Sequence, residues 1–270
     1  MNIEKMLNVR ANSSPTIISS DGDFYNSFVE YIRSNSELLN RCIIVEGNPQ
    51  QNYYFDIENS SNIVYEGVIT NQYQRVNSFS CTPKLLVSEF GSNKNTQKVF
   101  FNGIDENKEK MILENIFFKP FLRSIEKNVI QGIYFDKSLP QSSTTDTFTG
   151  TKDFDGLLSL VRKLKLKNQN NVLVIHPQVM FDIIDSITIE SYLREYLMNR
   201  TIEGVRIIES LESVQTQVYG VDPTKICLIM SPELQIQKLS LSEHPLDYIY
   251  HIYSFVNGGD MFSTGIEMRI

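Results

Sequence analysis

The chain has no tryptophan, only three histidines and three cysteines in 270 residues, and no surplus of basic side chains. Each shortage removes a class of function. Cys42, Cys81 and Cys227 stand far apart and fit no metal spacing, so they read as reduced thiols in a reducing compartment. His244 and His251 do not fall at a ligand spacing either. No apolar run approaches the roughly 20 residues of a membrane span. Residues 1–20 carry Lys and Arg but no apolar block of signal-peptide length, so export is not expected. A net charge of −7 argues against a general nucleic-acid binder, though not against a local basic patch. There is no G-x-G-x-x-G, no P-loop and no G-x-S-x-G. What remains, 41% apolar and 21% charged, is the composition of an ordinary soluble globular protein of one large or two modest domains.

The most informative stretch that is present covers residues 171–232. It holds three β-branched runs, Val172-Leu173-Val174-Ile175, Val205-Arg206-Ile207-Ile208 and Ile226-Cys227-Leu228-Ile229-Met230. Each is closed by a turn former or a polar break, which predicts strands buried on both faces. Between the first two, residues 178–198 place Val179, Ile183, Ile184, Ile187, Tyr192, Leu193, Tyr196 and Leu197 mostly three or four apart, a helical pattern. Strand, helix, strand, strand predicts a small layered α/β core.

Before it, residues 1–20 are polar and irregular, and residues 21–40 read as a helix capped by Asp21 or Asp23, with Phe24, Phe28, Tyr31, Ile32, Leu38 and Leu39 as its stripe. That stripe packs either on the chain's own core or on a neighbour. Residues 42–90 are rich in short strand-like runs with polar interruptions: 43–45, 53–55, 63–65, 68–69 and 85–87. A long polar hairpin cannot bury itself, so its edges need solvent or another chain. Residues 105–132 form the longest helical pattern, with Pro120 inside it as a kink or boundary and Gly132 suited to the C′ position. Residues 138–150 read as a surface loop, and residues 153–167 as a helix with a basic end, Arg162, Lys163, Lys165 and Lys167. Residues 234–239 and 248–256 are strand candidates, and Asn257-Gly258-Gly259-Asp260 reads as a turn. Residues 263–270 read as a closing strand whose Glu267 and Arg269 face solvent.

No catalytic, cofactor-binding or metal-ligating residue is assigned. His176 follows a strand end, where α/β enzymes place catalytic groups, but the plainer reading is a histidine bonded to backbone. Asp182 and Asp185 share a helix without an i,i+4 spacing, Asp153 and Asp155 read as helix caps, and Gly204 as a turn. The acidic cluster 105–109 suits a helix N-terminus, and the four charges at 162–167 suit a solvated helix end better than nucleic acid.

Several segments carry a likeness: Asn62-Ile63-Val64-Tyr65-Glu66-Gly67; Ser78-Phe79-Ser80-Cys81-Thr82-Pro83-Lys84-Leu85; Asn171-Val172-Leu173-Val174-Ile175-His176-Pro177; and Thr201-Ile202-Glu203-Gly204-Val205-Arg206-Ile207-Ile208. With the order of elements, they resemble the major capsid proteins of tailed phages, whose shell fold is shared by encapsulin nanocompartments. The resemblance implies an α+β, phage-capsid-like shell fold. It would have an N-terminal arm and helix (1–41), an E-loop hairpin and return strand (42–90) and a peripheral domain (91–170) with a spine helix at 107–131. An axial-type α/β domain (171–235) and C-terminal strands (236–270) would complete it. The function implied is a structural protein, not an enzyme, that self-assembles into an icosahedral head enclosing double-stranded DNA without sequence-specific binding. Pentamers and hexamers of itself, with scaffold, portal or decoration proteins, would be its partners. It would be made in the host cytoplasm, end in the virion, and need neither cofactor nor membrane. The alternatives are an encapsulin-type compartment shell and a small α/β enzyme using His176 with Asp182 or Asp185.

Overall fold

A computed structural model of the chain describes residues 16–19, 22–48, 53–56, 63–65, 78–81, 83–93, 115, 118–132, 135, 137–142, 146–167, 170–232, 235–240, 247–260 and 264–270. In order these form β1 (Thr16–Ser19), α1 (Gly22–Asn35), β2 (Ile43–Glu46), β3 (Tyr53–Asp56), β4 (Ile63–Tyr65), β5 (Ser78–Cys81) and β6 (Lys84–Asn93). Then come α2 (Lys119–Ile130), α3 (Leu139–Ser142), β7 (Thr147–Thr149), α4 (Phe154–Lys167), β8 (Val172–Ile175), α5 (Pro177–Asp185) and α6 (Glu190–Asn199). The chain closes with β9 (Thr201–Ile202), β10 (Val205–Glu209), β11 (Gln217–Val221), β12 (Ile226–Met230), β13 (Gln235–Ser240), β14 (Asp247–Asp260) and β15 (Ile266–Arg269).

The strands make three sheets. One runs β1-β13-β14-β12-β2, with β6 also paired to β14; a second runs β7-β15-β11-β8-β10-β9; a small antiparallel sheet runs β4-β3-β5. The second sheet is the hub. Every side chain of β8 is buried, and because successive side chains point to opposite faces, Val172 and Val174 enter one core while Leu173 and Ile175 enter the other. Its neighbours repeat the division: Ile208, Tyr219 and Val221 on the first side, Val205, Ile207, Val218, Ile266 and Met268 on the second.

The first core lies between the two large sheets and holds α1 and α2. Phe28 and Ile32 of α1 have no exposed surface, and Phe28 meets Phe118 and Phe121 at ring-centroid distances of 5.1 and 5.3 Å. The α1 stripe is thus used within the chain, not on a neighbour. Thr16–Ser19 also pairs with the chain's own β13. The second core is covered by α4, α5 and α6. Gly220 lets α4 approach closely, since a Cβ there would lie 2.2 Å from Leu164.

Several expectations change. The run 226–230 belongs to the first sheet, parallel to β2, so the three buried runs do not make one small core. The neighbour that separates β8 from the C-terminal strand is β11, which sequence reading passed over. Residues 178–198 are two helices, broken at 186–189 where Ile187-Thr188-Ile189 places β-branched residues in a row. Residues 257–260 are not a turn. They continue β14 along β12, and the glycines serve close approach: a Cβ on Gly258 would lie 2.5 Å from the Cys227 carbonyl oxygen, and one on Gly259 (φ +135°) 1.9 Å from that of Lys137. Residues 138–150 are not a plain surface loop, since Ser138 and Leu139 are fully buried and 147–149 pair with β15. Glu267 does not face solvent; it is buried, accepting from Arg269 Nε and Gln217 Nε2 at 2.8 Å each.

Pro120 lies in the first turn of α2, where its missing N–H costs nothing, and the described residues just before it, Asn115 and Phe118, are π-helical. The earlier half of the expected long helix, with the acidic cluster 105–109, lies outside the described residues, as does the 68–69 run. Gly132, at φ +60°, takes the left-handed C′ position. Residues 53–56, 63–65 and 78–81 form three short strands of an antiparallel sheet of their own, at two of the expected runs and within the expected return segment.

Candidate assembly surface

The surface that stands out is the outer side of α4–α6. These helices turn Leu157, Leu160, Val161, Leu164, Val179, Met180, Ile183 and Tyr196 inward. The opposite side is not uniformly polar. Phe181 is 59% exposed, Leu197 65%, Met198 75% and Leu166 89%, and Ile189, at the α6 N-cap, is also exposed. Single exposed apolar residues are ordinary; five on one helical layer mark a surface that gains by being covered. Beside them a shallow groove of about 450 Å³ runs along α6, lined by Glu190, Ser191, Arg194, Glu195, Met198 and Asn199.

This layer is held rigidly from beneath. The β9–β10 turn places Glu203 (φ 48°) and Gly204 (φ 77°) in the left-handed region required of both central residues of a type I′ turn. Their turn-facing N–H groups are taken by Glu195: Glu203 N donates to Oε2 at 3.2 Å and Gly204 N to Oε1 at 2.9 Å, while Thr201 Oγ1 donates to Oε1 at 2.9 Å. A carboxylate from α6 thus fills the anion nest formed by the turn. Arg200, left-handed at the α6 C-cap, bonds to Glu209 and the Tyr196 hydroxyl, and Tyr196 donates to Glu209 Oε1 at 2.6 Å. Burial, then Glu209, pushes the Tyr196 phenol up to about 12, so it remains a donor.

The basic end of α4 is largely consumed inside the chain. Lys165 pairs with Glu203 at 2.9 Å, Lys167 with Asp146, and Lys163 Nζ sits 3.6 Å over the Phe148 ring. The hydrogen bond from Lys165 holds Glu203 below its ordinary range. Arg162, Lys163, Lys165 and Lys167 are all exposed, as a solvated helix end requires, and the contacts of the three lysines are made at that surface.

The residues considered for chemistry have structural work. His176 is the α5 N-cap: the Gln178 N–H donates to its Nδ1 at 3.1 Å, with Pro177 at the first helical position, as its plainer reading required. Asp182 pairs with Lys152, and Asp185 closes α5. Asp153 caps α4, accepting from Gly156 N at 2.9 Å and Thr151 Oγ1 at 2.6 Å, bonds that lower its carboxyl. Gly204 is in a turn. Cys42 and Cys227 are buried and their thiols are pushed up by desolvation, Cys227 to about 12, so neither is a reactive thiolate. His244 lies outside the described residues, and His251 falls in β14. Among the described residues no cluster of three or more His, Cys, Asp or Glu is placed to hold a metal, and no helix is long and apolar enough to cross a membrane.

The outward set was not legible beforehand. Leu197 was counted in the inner stripe, and Phe181, Met198 and Leu166 fit no motif. The clamp by Glu195 left no sequence signal beyond Glu203-Gly204.

No protein-family model matches the chain, and no curated protein matches it in sequence. Solved structures do match. The satellite phage P4 procapsid aligns over 90% of this chain and 98% of its own at a TM-score of 0.60 and 9% identity. A virus-like particle from Pyrococcus furiosus aligns over 91% and 97% at 0.54 and 12%, and Microbacterium phage Oxtober96 over 87% and 90% at 0.57 and 11%. The fold is that of a phage-capsid shell protein. The alignments span about nine-tenths of the chain, so the likeness is not confined to one part of it, and the fold is a mixed α+β one. The likeness is one of fold, with sequence identity too low to carry residue roles.

Proposed function

We propose that this chain is the repeating subunit of a closed icosahedral phage head that encloses double-stranded DNA. The observation that carries the reading is end-to-end alignment with capsid subunits in a chain whose outer helical layer leaves Phe181, Leu197 and Met198 uncovered. In this reading residues 171–235 are the axial domain, and their helical layer meets the next copy around a pentamer or hexamer axis. Each such contact is heterologous, a patch of one copy on a different patch of the next, and closes into a ring. Residues 42–90 serve as the E-loop, residues 107–131 as the spine helix, and residues 91–170 with 236–270 as the peripheral domain. Residues 1–41 serve as the N-terminal arm and helix, of which α1 is committed to the first core. The subunit is non-catalytic. It works with scaffold, portal or decoration proteins, is made in the host cytoplasm and ends in the virion.

The test is purification of the full chain and inspection by negative stain. Closed particles with nuclease-protected DNA support the reading. A second reading, a compartment shell enclosing protein cargo, is favoured by the alignment with the virus-like particle. Closed particles containing protein and no nucleic acid support that one. A compact low-order oligomer whose activity is lost in His176→Ala would instead support the enzyme.

A further inference from the structure

The helical layer over the second core is charged differently at its two ends. Where α4 finishes, Arg162, Lys163, Lys165 and Lys167 surround the exposed Leu166. The other end is the corner where α4 begins and α5 gives way to α6. There the Phe154 N–H donates to Ser186 Oγ at 2.7 Å, and the Phe154 and Tyr192 rings lie 5.0 Å apart, which fixes the corner against the start of α4. Asp155, Asp185 and Glu190 are exposed at this corner, beside Phe181 and Ile189. From Phe154 to Leu166 the helix rises roughly 18 Å, so the two ends sit on opposite flanks of the layer.

Most of these charges are matched within the chain. Lys165 and Lys167 pair with Glu203 and Asp146, and Lys163 lies over the Phe148 ring. At the corner Lys152 pairs with Asp182 and Arg194 with Glu190. Among the described residues, the side chains of Arg162 at the basic end and of Asp155 and Asp185 at the acidic corner make no ion pair or hydrogen bond. Arg162 stands four residues before Leu166 on α4, and Phe181 four before Asp185 on α5. Each unmatched charge of these two pairs therefore shares a helix face with an exposed apolar side chain.

We propose that the layer is self-complementary and joins copies head to tail: the Arg162–Leu166 face of one copy seats on the Phe181–Asp185 face of the next. Leu166 then packs against Phe181, and the Arg162 guanidinium meets the Asp185 carboxylate. The proposal rests on the shell reading for its partner, a second copy of the chain, and adds which two patches meet. The choice of partner follows from charge. A nucleic acid matches only the basic end, and a basic protein only the acidic corner. A second copy matches both, since each copy offers the end that the other lacks. Two different patches meeting on successive copies make a heterologous contact, the kind that closes into a ring.

The test is sedimentation velocity of the full chain over a range of concentrations, with urea unfolding of each variant as the control for an intact fold. Arg162→Glu and Asp185→Arg each set like charges across the contact and raise the concentration for half-assembly about tenfold or more. The double variant exchanges the pair and recovers assembly to within about threefold of the wild type. Single variants that assemble like the wild type overturn the contact and leave the shell reading standing, as does a double variant that recovers nothing. Arg162→Glu particles that form normally but retain less DNA assign the basic end to nucleic acid and likewise overturn the contact. A wild type that stays a single chain at every concentration overturns both readings. If a charge reversal unfolds the chain, the neutral variants Arg162→Gln and Asp185→Asn decide. Each then weakens assembly and the two together weaken it no further, whereas additive losses, or none, overturn the contact.

Discussion

The two faces of the second sheet are built from the same strands, yet they end differently. On one, Val172, Val174, Ile208, Tyr219 and Val221 pack against α1, α2 and the other large sheet, and the space is filled from both sides. On the other, Leu173, Ile175, Ile207 and Val218 pack against a single layer of helices, and that layer carries Phe181, Leu197 and Met198 on its far side. The alternation along β8 makes both cores equally apolar at the strand. What differs is the number of layers above it. A face covered twice is complete within the chain. A face covered once, by helices that also carry apolar residues outside, is the one that gains most from a further layer, and in the proposed shell that layer is a second copy.

The first way to break this contrast is to cut into each core. Phe121→Ala, on the closed side, should cost about 3–5 kcal/mol, and Leu160→Ala, beneath the open layer, about 2–5 kcal/mol, both read by urea unfolding. A Leu160→Ala cost below about 1 kcal/mol would mean the second core is loosely packed, and the exposed layer would then reflect poor order and not a contact surface. Gly259→Ala should cost about 3 kcal/mol, since a Cβ meets the Lys137 backbone and φ is +135°. That substitution tests the joint of β14 with the α2–α3 connection, on the closed side.

A smaller effect sharpens the comparison through pH. Folded Glu126 holds its proton at about 6 against an ordinary 4.5, so its contribution to stability is greatest below about pH 4.5 and falls by about 2 kcal/mol as pH rises to about 6. Unfolding free energies across that window should show this slope in the wild type and not in Glu126→Gln. On the open side, Glu195→Gln removes the negative charge from the Glu203-Gly204 turn and should cost about 1–2 kcal/mol by thermal melting. The smallest effect on the single chain comes from the outer layer itself. Phe181→Ser and Leu197→Ser should each change its stability by no more than about 0.5 kcal/mol.

Much of the fold was legible because its strongest signals are local. The β-branched runs at 172–175 and 205–208, the basic-ended helix 154–167 and the Gly132 cap were readable from residue type and spacing. What was not legible depended on partners distant in sequence. Gln217-Val218-Tyr219-Gly220-Val221 looks weak as a strand because Gly220 interrupts it, yet that glycine is what admits Leu164. Asn257-Gly258-Gly259-Asp260 has the composition of a turn, and only the ladder with β12 makes it a strand. The candidate surface was less legible than the fold. A helix with apolar residues on both sides has a blurred period, so Leu197 was assigned inward. The Glu126 carboxylate meets the hydroxyls of Ser36 and Ser210 from separate stretches, and no spacing announces it. The order of elements, by contrast, was enough to suggest the capsid-shell fold that the solved structures share.

Sedimentation velocity of the purified chain, beside the Phe181→Ser/Leu197→Ser double variant, bears most directly on the open face. The wild type should sediment as a large closed assembly, and the double variant as a small species that still unfolds cooperatively in urea. A wild type that sediments as a single folded chain at every concentration, or a double variant that still assembles fully, would contradict the account.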